Sequence, residues 1–466
     1  MVNGYAGKLL WVDLTKKTLT DEILTEKFCR DYIGGYGMGA RIVYTHQKGG
    51  VDPLGPEAVL GIMTGAATGT PFIGGSRYVA IGKSPLTGGW GDANSGGVFG
   101  PHMKFAGYDG VFFKGISAKP VYILIDNGKA QIKDASHIWG KDTFDTEDIL
   151  LAELGKDTEV CCIGPAGEKL SLIAAVMNNK GRAAGRSGLG AVMGSKKVKA
   201  IAVKGKMAIP MFDAEKAKEY RKEYLSQLTG HVGLLREFGT PGIMAMMAKF
   251  GDSPVKNWAS TALIDFPNVD LISDKNVIAE QTKRYACYMC PIACGGHMKA
   301  YKGEKFSYED GSHKPEYETL ALFGSNLLNY NLNSIIKAND ICNRAGLDTI
   351  GAGSVIGFTI DCYENGIITK EDTGGLAMNW GNAEAIVEMT EKLAKREGFG
   401  NIIAEGVMRA AAKIGKGADK LAQHIGGCEY PAHDAKFGFH WAITYRMDPT
   451  PGRHTQGDPG GPKFPI

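Results

Sequence analysis

Lys199-Ala-Ile-Ala-Val-Lys204-Gly-Lys-Met-Ala-Ile209-Pro210-Met-Phe-Asp213 is the stretch at which this sequence changes character. Residues 199–204 are an apolar run between lysines, with β-branched Ile201 and Val203 two positions apart, and read as a strand. Past Pro210, which removes a backbone donor, apolar residues recur over 213–228 at helical spacing. Upstream, residues 7–13, 58–63, 78–82, 110–115 and 121–126 are short apolar or alternating runs bounded by Gly, Pro, Asn or Asp, the signature of strands and turns. Asp126-Asn-Gly-Lys129 predicts a tight turn between two of them. Downstream, helical spacing recurs over 233–250, 317–328, 334–345, 382–397 and 402–414, with Asn382 as an N-cap and Gly398 just past the helix end. Residues 426–466 are rich in Gly, Pro and His and show little period. The expectation is a β-rich first domain followed by helical material.

Composition narrows the function. A chain of 466 residues, 44% hydrophobic and 22% charged, supports two or three domains with large cores. A net charge of +3 with no basic tract argues against nucleic acid as a partner. The 65 glycines are about twice the usual share of roughly 7%, and they sit singly or in pairs among apolar runs, as suits close backbone approach to a large ligand. No basic-then-apolar leader opens the chain, and no run reaches the roughly 18–20 apolar residues of a membrane span. Nine cysteines, three clustered and six dispersed (Cys29, Cys161, Cys162, Cys342, Cys362, Cys428), point to a reducing cytoplasm. Adjacent Cys161 and Cys162 read as buried structural thiols.

The clustered cysteines carry chemistry. Arg284-Tyr-Ala-Cys287-Tyr-Met-Cys290-Pro-Ile-Ala-Cys294-Gly-Gly296 brings three soft ligands together within two short turns, suited to an iron–sulfur cluster or zinc. Zinc calls for a second cysteine pair or a histidine pair, and His297 and His313 are badly spaced for one. A cluster with a distant fourth ligand is the better reading, and the spacing reverses the C-x3-C-x2-C of radical enzymes that use S-adenosylmethionine. Gly74-Gly-Ser-Arg77 and Gly88-Gly-Trp-Gly-Asp-Ala-Asn94-Ser95-Gly96-Gly97 offer bare amides beside Arg77 and Asn94, fit either for phosphate oxygens or simply for β-turns. Asn179-Lys-Gly-Arg182-Ala183-Ala-Gly185-Arg186 opens a third Gly-rich run apt for anions, without the order of a P-loop. Gly35-Tyr-Gly-Met-Gly39 reads as a turn before a helix. In Pro315-Glu316-Tyr-Glu318-Thr319, two carboxylates at a helix start either complement its dipole or supply a base near a metal. His433-Asp434 and Arg453-His454-Thr-Gln456 read as solvated loops by default.

Together these residues resemble the tungsten-containing aldehyde ferredoxin oxidoreductase family along nearly the whole chain. The resemblance rests on the opening Gly7-Lys-Leu-Leu-Trp-Val-Asp13, on Trp90 to Gly97 with Phe105-Ala-Gly-Tyr-Asp109, and on Arg182 to Lys199. It also rests on the cysteine triplet, Pro315 to Leu320, and Gly346-Leu347-Asp348-Thr349. It implies an α+β fold in which an N-terminal domain of two β-sheets forms the base for a tungsten–bispyranopterin, covered by mainly helical domains. The domains expected are a tungstopterin-binding domain over 1–209, a helical domain with the Fe–S cysteines over 210–420, and the start of a C-terminal helical domain over 421–466.

The same resemblance assigns Cys287, Cys290 and Cys294 to a 4Fe–4S cluster and places Arg77 between cluster and pterin. Asn94 and the backbone at Ala183 would hold the Mg2+ joining the pterin phosphates, with Ser95, Gly96 and Arg182 nearby. Asn343, Leu347 and Asp348 stand where a D-x2-G-L-D motif contacts one pterin, Asn343 replacing the first Asp. Glu318 and His454 match the pair beside the metal: Glu318 as proton acceptor for the attacking water, His454 as hydrogen-bond donor to the substrate oxygen. Gln456 sits where aldehyde enzymes often carry a Lys. The implied activity is oxidation of an aldehyde to its carboxylate with ferredoxin as acceptor, in a homo-oligomer or a complex with electron-transfer subunits. The alternatives are the tungsten subunit of an aromatic acyl-CoA reductase and a non-catalytic truncated homologue. The family's second motif, D-x2-G-L-C, supplies the fourth cysteine and has no counterpart before Ile466, so a partial chain is expected.

Overall fold

A computed structural model describes residues 2–228 and 230–455. Backbone contacts divide the chain into two units. The first runs from the N-terminus to Gly233 and includes residues 286–293 and 343–347; the second holds 234–285, 294–342 and the chain from Asp348 onward.

The first unit is built on twelve strands: β1 (Lys8–Asp13), β2 (Thr18–Ile23), β3 (Leu60–Thr64), β4 (Tyr78–Lys83), β5 (Trp90–Ser95), β6 (Gly110–Lys114), β7 (Val121–Asp126), β8 (Lys129–Asp134), β9 (Glu159–Cys162), β10 (Val176–Asn178), β11 (Arg182–Ala184) and β12 (Val198–Lys204). They form two six-stranded sheets, β2-β1-β6-β3-β4-β5 and β11-β10-β9-β12-β7-β8. Each sheet has one parallel pair, β1 with β6 and β12 with β7, among antiparallel neighbours. Since side chains alternate along a strand, each sheet serves two layers. Leu10, Val12, Ile62, Tyr78 and Ala80 meet Ile123, Ile125, Cys161, Ile201 and Val203 in one buried core between the sheets. The intervening Leu9, Met63, Val79 and Ile81 pack instead on Met38 and Ile42 of the helix Gly35–His46. Tyr122, Val160, Cys162 and Ala202 pack on Leu150 of the helix Thr143–Leu154. Truncating a core residue such as Ile201 to Ala costs about 2–5 kcal/mol.

The expected strands and the Asn127-Gly128 turn are present, the turn residues taking φ of +45° and +83°. Adjacent Cys161 and Cys162 are buried in β9, and burial raises the Cys161 thiol to about 12, as fits inert structural thiols. Residues 90–95, read as bare amides for phosphate oxygens or as β-turns, form the edge strand β5, with Asn94 opposite Val79 of β4. Gly35 to Gly39 is not a turn but the start of its helix, because Met38 and Gly39 are buried.

The second unit is mainly helical, with Tyr317–Phe323, Thr349–Glu364, Ala383–Lys395, Phe399–Ile403, Val407–Ile414 and Phe439–Met447. Asn382 caps its helix as expected, accepting from Ala385 N–H. Three helices expected to be continuous are broken. The 233–250 segment divides at Gly239 (φ +73°) and Pro241, and the 402–414 segment divides at Gly406 (φ +80°). In the 317–328 segment the helix ends at Phe323. The helix Phe439–Met447 lies in the segment that shows little period. No helix among the described residues is long and apolar enough to cross a membrane.

Candidate functional site

In the first unit, a bare backbone lets a cysteine sulfur approach a strand end. A Cβ built on Gly96, just past β5, would lie 2.8 Å from Cys287 Sγ and 4.0 Å from Arg77 Cζ. Tyr288 N–H donates to Gly97 O at 3.0 Å, and Cys290 N–H closes a turn on Cys287 O at 3.0 Å. Met289 sits at φ +50°, a conformation side chains rarely adopt, and its carbonyl accepts from Arg221 Nη2 at 2.7 Å. Cys287 and Cys290 are half-buried and in no disulfide, unlike the six dispersed cysteines, which are all buried. Two open thiols in a pinned loop beside a bare glycine and a guanidinium are the donor chemistry an iron–sulfur cluster requires. Cys294 belongs to the second unit and is likewise half-buried and in no disulfide.

Arg77 Nη1 donates to Asn94 Oδ1 at 2.9 Å, and Asn94 Nδ2 donates to Tyr36 Oη at 2.7 Å. The short strand β11, carrying Arg182 and Ala183, packs against β5, which carries Asn94. An amide side chain, a peptide carbonyl and two guanidiniums are oxygen donors for Mg2+ and partners for phosphate, so these residues fit a pterin phosphate site. Ser95 is turned inward, its hydroxyl donating to Asn178 Oδ1 at 2.9 Å. Asn343 and Leu347 belong to the same unit. Asn343 O accepts from Thr143 Oγ1 at 2.8 Å, Gly346 O accepts from Ala175 N–H at 2.8 Å, and Leu347 bridges to Ala174.

The second unit gathers Glu318, at the N-terminus of the helix Tyr317–Phe323, with two histidines. Its Oε1 lies 3.2 Å from His454 Nε2 and 3.9 Å from His433 Nε2. Its Oε2 accepts from Ala432 N–H at 2.8 Å, which fixes the carboxylate against the segment carrying His433. The position at the first turn adds the favourable end of the helix dipole to this carboxylate. All three side chains are partly shielded from solvent, at 12–22% exposure. They are the one group of three or more metal-capable side chains found among the described residues, and it contains no thiol.

His433, expected to be a solvated loop residue, is shielded, and its Nδ1 meets Asp252 Oδ2 at 2.5 Å. Burial lowers its affinity for a proton, but the Asp252 hydrogen bond and the Glu318 charge together outweigh that, and its pKa is raised. Sequence reasoning missed Asp252 altogether; a lone Asp after the helix Met244–Phe250 carries no spacing signal. Asp348 caps the helix Thr349–Glu364, its two oxygens accepting from Ile350 and Gly351 N–H. Gln456 lies outside the described residues.

Comparison with known proteins identifies relatives along nearly the whole chain. The family profile "Aldehyde ferredoxin oxidoreductase, N-terminal domain" matches residues 9–205, and "Aldehyde ferredoxin oxidoreductase, domains 2 & 3" matches residues 215–463. The chain is 37% identical over 457 residues to a tungsten-containing aldehyde ferredoxin oxidoreductase of Pyrococcus furiosus, covering 97% of this chain and 74% of the relative. An aliphatic sulfonate oxidoreductase, WOR-like subunit, of the same organism is 33% identical over 483 residues, covering 97% and 75%. Among solved structures, the active site complex BamBC of benzoyl coenzyme A reductase with 1,5-dienoyl-CoA superposes with a TM-score of 0.83 at 25% identity, covering 97% of this chain and 70% of that one.

Proposed function

The chain belongs to the aldehyde ferredoxin oxidoreductase family of tungsten enzymes, and from that premise we propose that it oxidises an aldehyde to the carboxylate and delivers the electrons to ferredoxin. The family works with a tungsten–molybdopterin and an iron–sulfur cluster. When bound, a tungsten–bispyranopterin would supply the acceptor for the two electrons of RCHO + H2O → RCOOH + 2H+ + 2e−, and a 4Fe–4S cluster would supply the one-electron path to ferredoxin.

The observation that carries the reading is the Glu318–His454 pair. Glu318, held by the Ala432 amide and shielded from bulk water, takes the proton of the water that attacks the carbonyl carbon. His454 donates a hydrogen bond to the oxygen on which negative charge develops. Cys287, Cys290 and Cys294 would ligate the cluster. Asn94 and the Ala183 carbonyl would hold Mg2+, Arg182 would compensate phosphate charge, Arg77 would stand between cluster and pterin, and Ser95 and Gly96 shape the adjoining strand end. Asn343, Leu347 and Asp348 would present their segment to one pterin. Glu318→Gln tests this reading: the variant is expected to lose aldehyde-dependent viologen reduction while keeping its tungsten and iron. Retained turnover would remove Glu318 from the chemistry, and lost tungsten would make its role structural.

A further inference from the structure

Aldehyde oxidation releases two protons, and a carboxylate that has taken one must give it up before the next turnover. We propose that His433, oriented by Asp252, is the relay residue that receives this proton from Glu318. The inference rests on Glu318 acting as the base.

The geometry sets each atom's part. Asp252 is almost completely buried and bonds Nδ1 of His433 at 2.5 Å, so in the neutral ring the proton sits on Nδ1 and Nε2 is left as an acceptor. That Nε2 lies 3.9 Å from Glu318 Oε1, a gap closed by a side-chain movement of about 1 Å or by one bridging water. In the transfer the O–H bond of the Glu318 carboxyl breaks and an Nε2–H bond forms. Glu318 returns to the carboxylate, and Asp252 balances the imidazolium. No electrons move in this step, and the proton then passes from the ring to water.

The surroundings hold the ring in place. Asp434 N–H donates to Asp252 Oδ1 at 3.2 Å, and Tyr445 Oη donates to His433 O at 2.8 Å. Trp441 stacks on the ring with centroids 4.9 Å apart. The ionisable groups facing His433 from neighbouring elements are Asp252, Tyr317, Glu318, Tyr445 and His454. Tyr317 stays neutral, since burial pushes its phenol well up, and its Oη donates to Ala432 O at 2.6 Å. The negative charge beside the ring therefore comes from Asp252 and Glu318, the two groups the relay uses.

The test uses the metal-loaded full chain and two variants, His433→Gln and Asp252→Asn, read by viologen reduction against pH and by ring-nitrogen NMR of histidine-labelled protein. His433→Gln is expected to lower kcat about 100-fold with little change in KM, to lose the limb of the pH profile that rises as His433 deprotonates, and to regain rate with added imidazole. The wild-type His433 ring is expected to titrate above the ordinary value of about 6.5, and to fall in Asp252→Asn. An unchanged kcat and pH limb in His433→Gln overturns the relay, as does a wild-type ring that titrates below the ordinary value. Loss of tungsten or iron from His433→Gln also overturns it, because the residue would then serve to hold the centre. If Glu318→Gln is inactive and His433→Gln unaffected, the relay alone fails; if both are fully active, the base assignment beneath it fails.

Discussion

Gly96→Ala tests the cysteine loop at a single atom. Gly96 has no left-handed φ, so alanine is tolerated by the backbone and the whole effect comes from the new methyl. That carbon would lie 2.8 Å from Cys287 Sγ, against at least 3.4 Å for an ordinary contact, so the sulfur must shift by about 0.6 Å or more. Without a metal the shift is easy, because Sγ ends a short side chain, and the fold should lose no more than about 1–3 kcal/mol. With a cluster the sulfur is fixed by its bond to iron, where lengths tolerate only about 0.2 Å. The same 0.6 Å is therefore a minor matter for folding and about three times what ligation allows. The assay is iron per chain after anaerobic reconstitution, together with the thermal midpoint. The expected result is a midpoint lowered by a few degrees and a large loss of iron. Full iron with an unchanged cluster spectrum would refute the placement of Cys287 Sγ as a cluster ligand beside Gly96.

Other perturbations follow from single groups. Burial raises the Glu147 carboxyl to about 7, from an ordinary 4.5. Its folded-state pKa lies above the unfolded one, so it lowers stability as pH rises from about 4.5 to 7, by an order of about 3 kcal/mol. Glu147→Gln, which still accepts from Lys180 N–H, should raise the denaturant midpoint at pH 8 and leave it nearly unchanged at pH 4; no difference at pH 8 would contradict the buried charge. Asp348→Ala removes a cap with two backbone partners and should cost about 0.5–2 kcal/mol in urea unfolding, with Asp348→Asn recovering most of it. In the Lys199–Glu168 pair the Lys199 side chain is fully buried, and Glu168→Ala should destabilise by about 3–5 kcal/mol, because the ammonium stays buried without its counter-charge. A loss below 1 kcal/mol there would mean that water reaches Lys199.

Six of the twelve strands, β1, β3, β4, β6, β7 and β12, were legible as apolar runs closed by turn residues, while their division into two sheets came only with the family resemblance. β2 escaped notice: its Thr-Leu-Thr-Asp-Glu-Ile is a largely exposed edge strand held only by β1, so no hydrophobic period marks it. β5 was masked by its glycines, which mark close approaches rather than a loop. Helix breaks at Gly239 and Gly406 are backbone events at residues that a spacing of three and four tolerates. Phe439–Met447 was visible only as a run free of Gly and Pro between Gly438 and Pro449. At the site, Glu318 and His454 were reachable through family motifs. The His433–Asp252 pair was not, since it joins residues 181 positions apart by a contact that tertiary folding alone creates.

The central claim is that this chain uses its tungsten centre to oxidise aldehydes. The most direct measurement is viologen reduction by anaerobically purified protein of known tungsten and iron content, offered a panel of aldehydes, with the carboxylate quantified. The account predicts aldehyde-dependent reduction, with one carboxylate formed for every two electrons and none formed by Glu318→Gln. Fully metallated protein that reduces viologen with no aldehyde on the panel would contradict it.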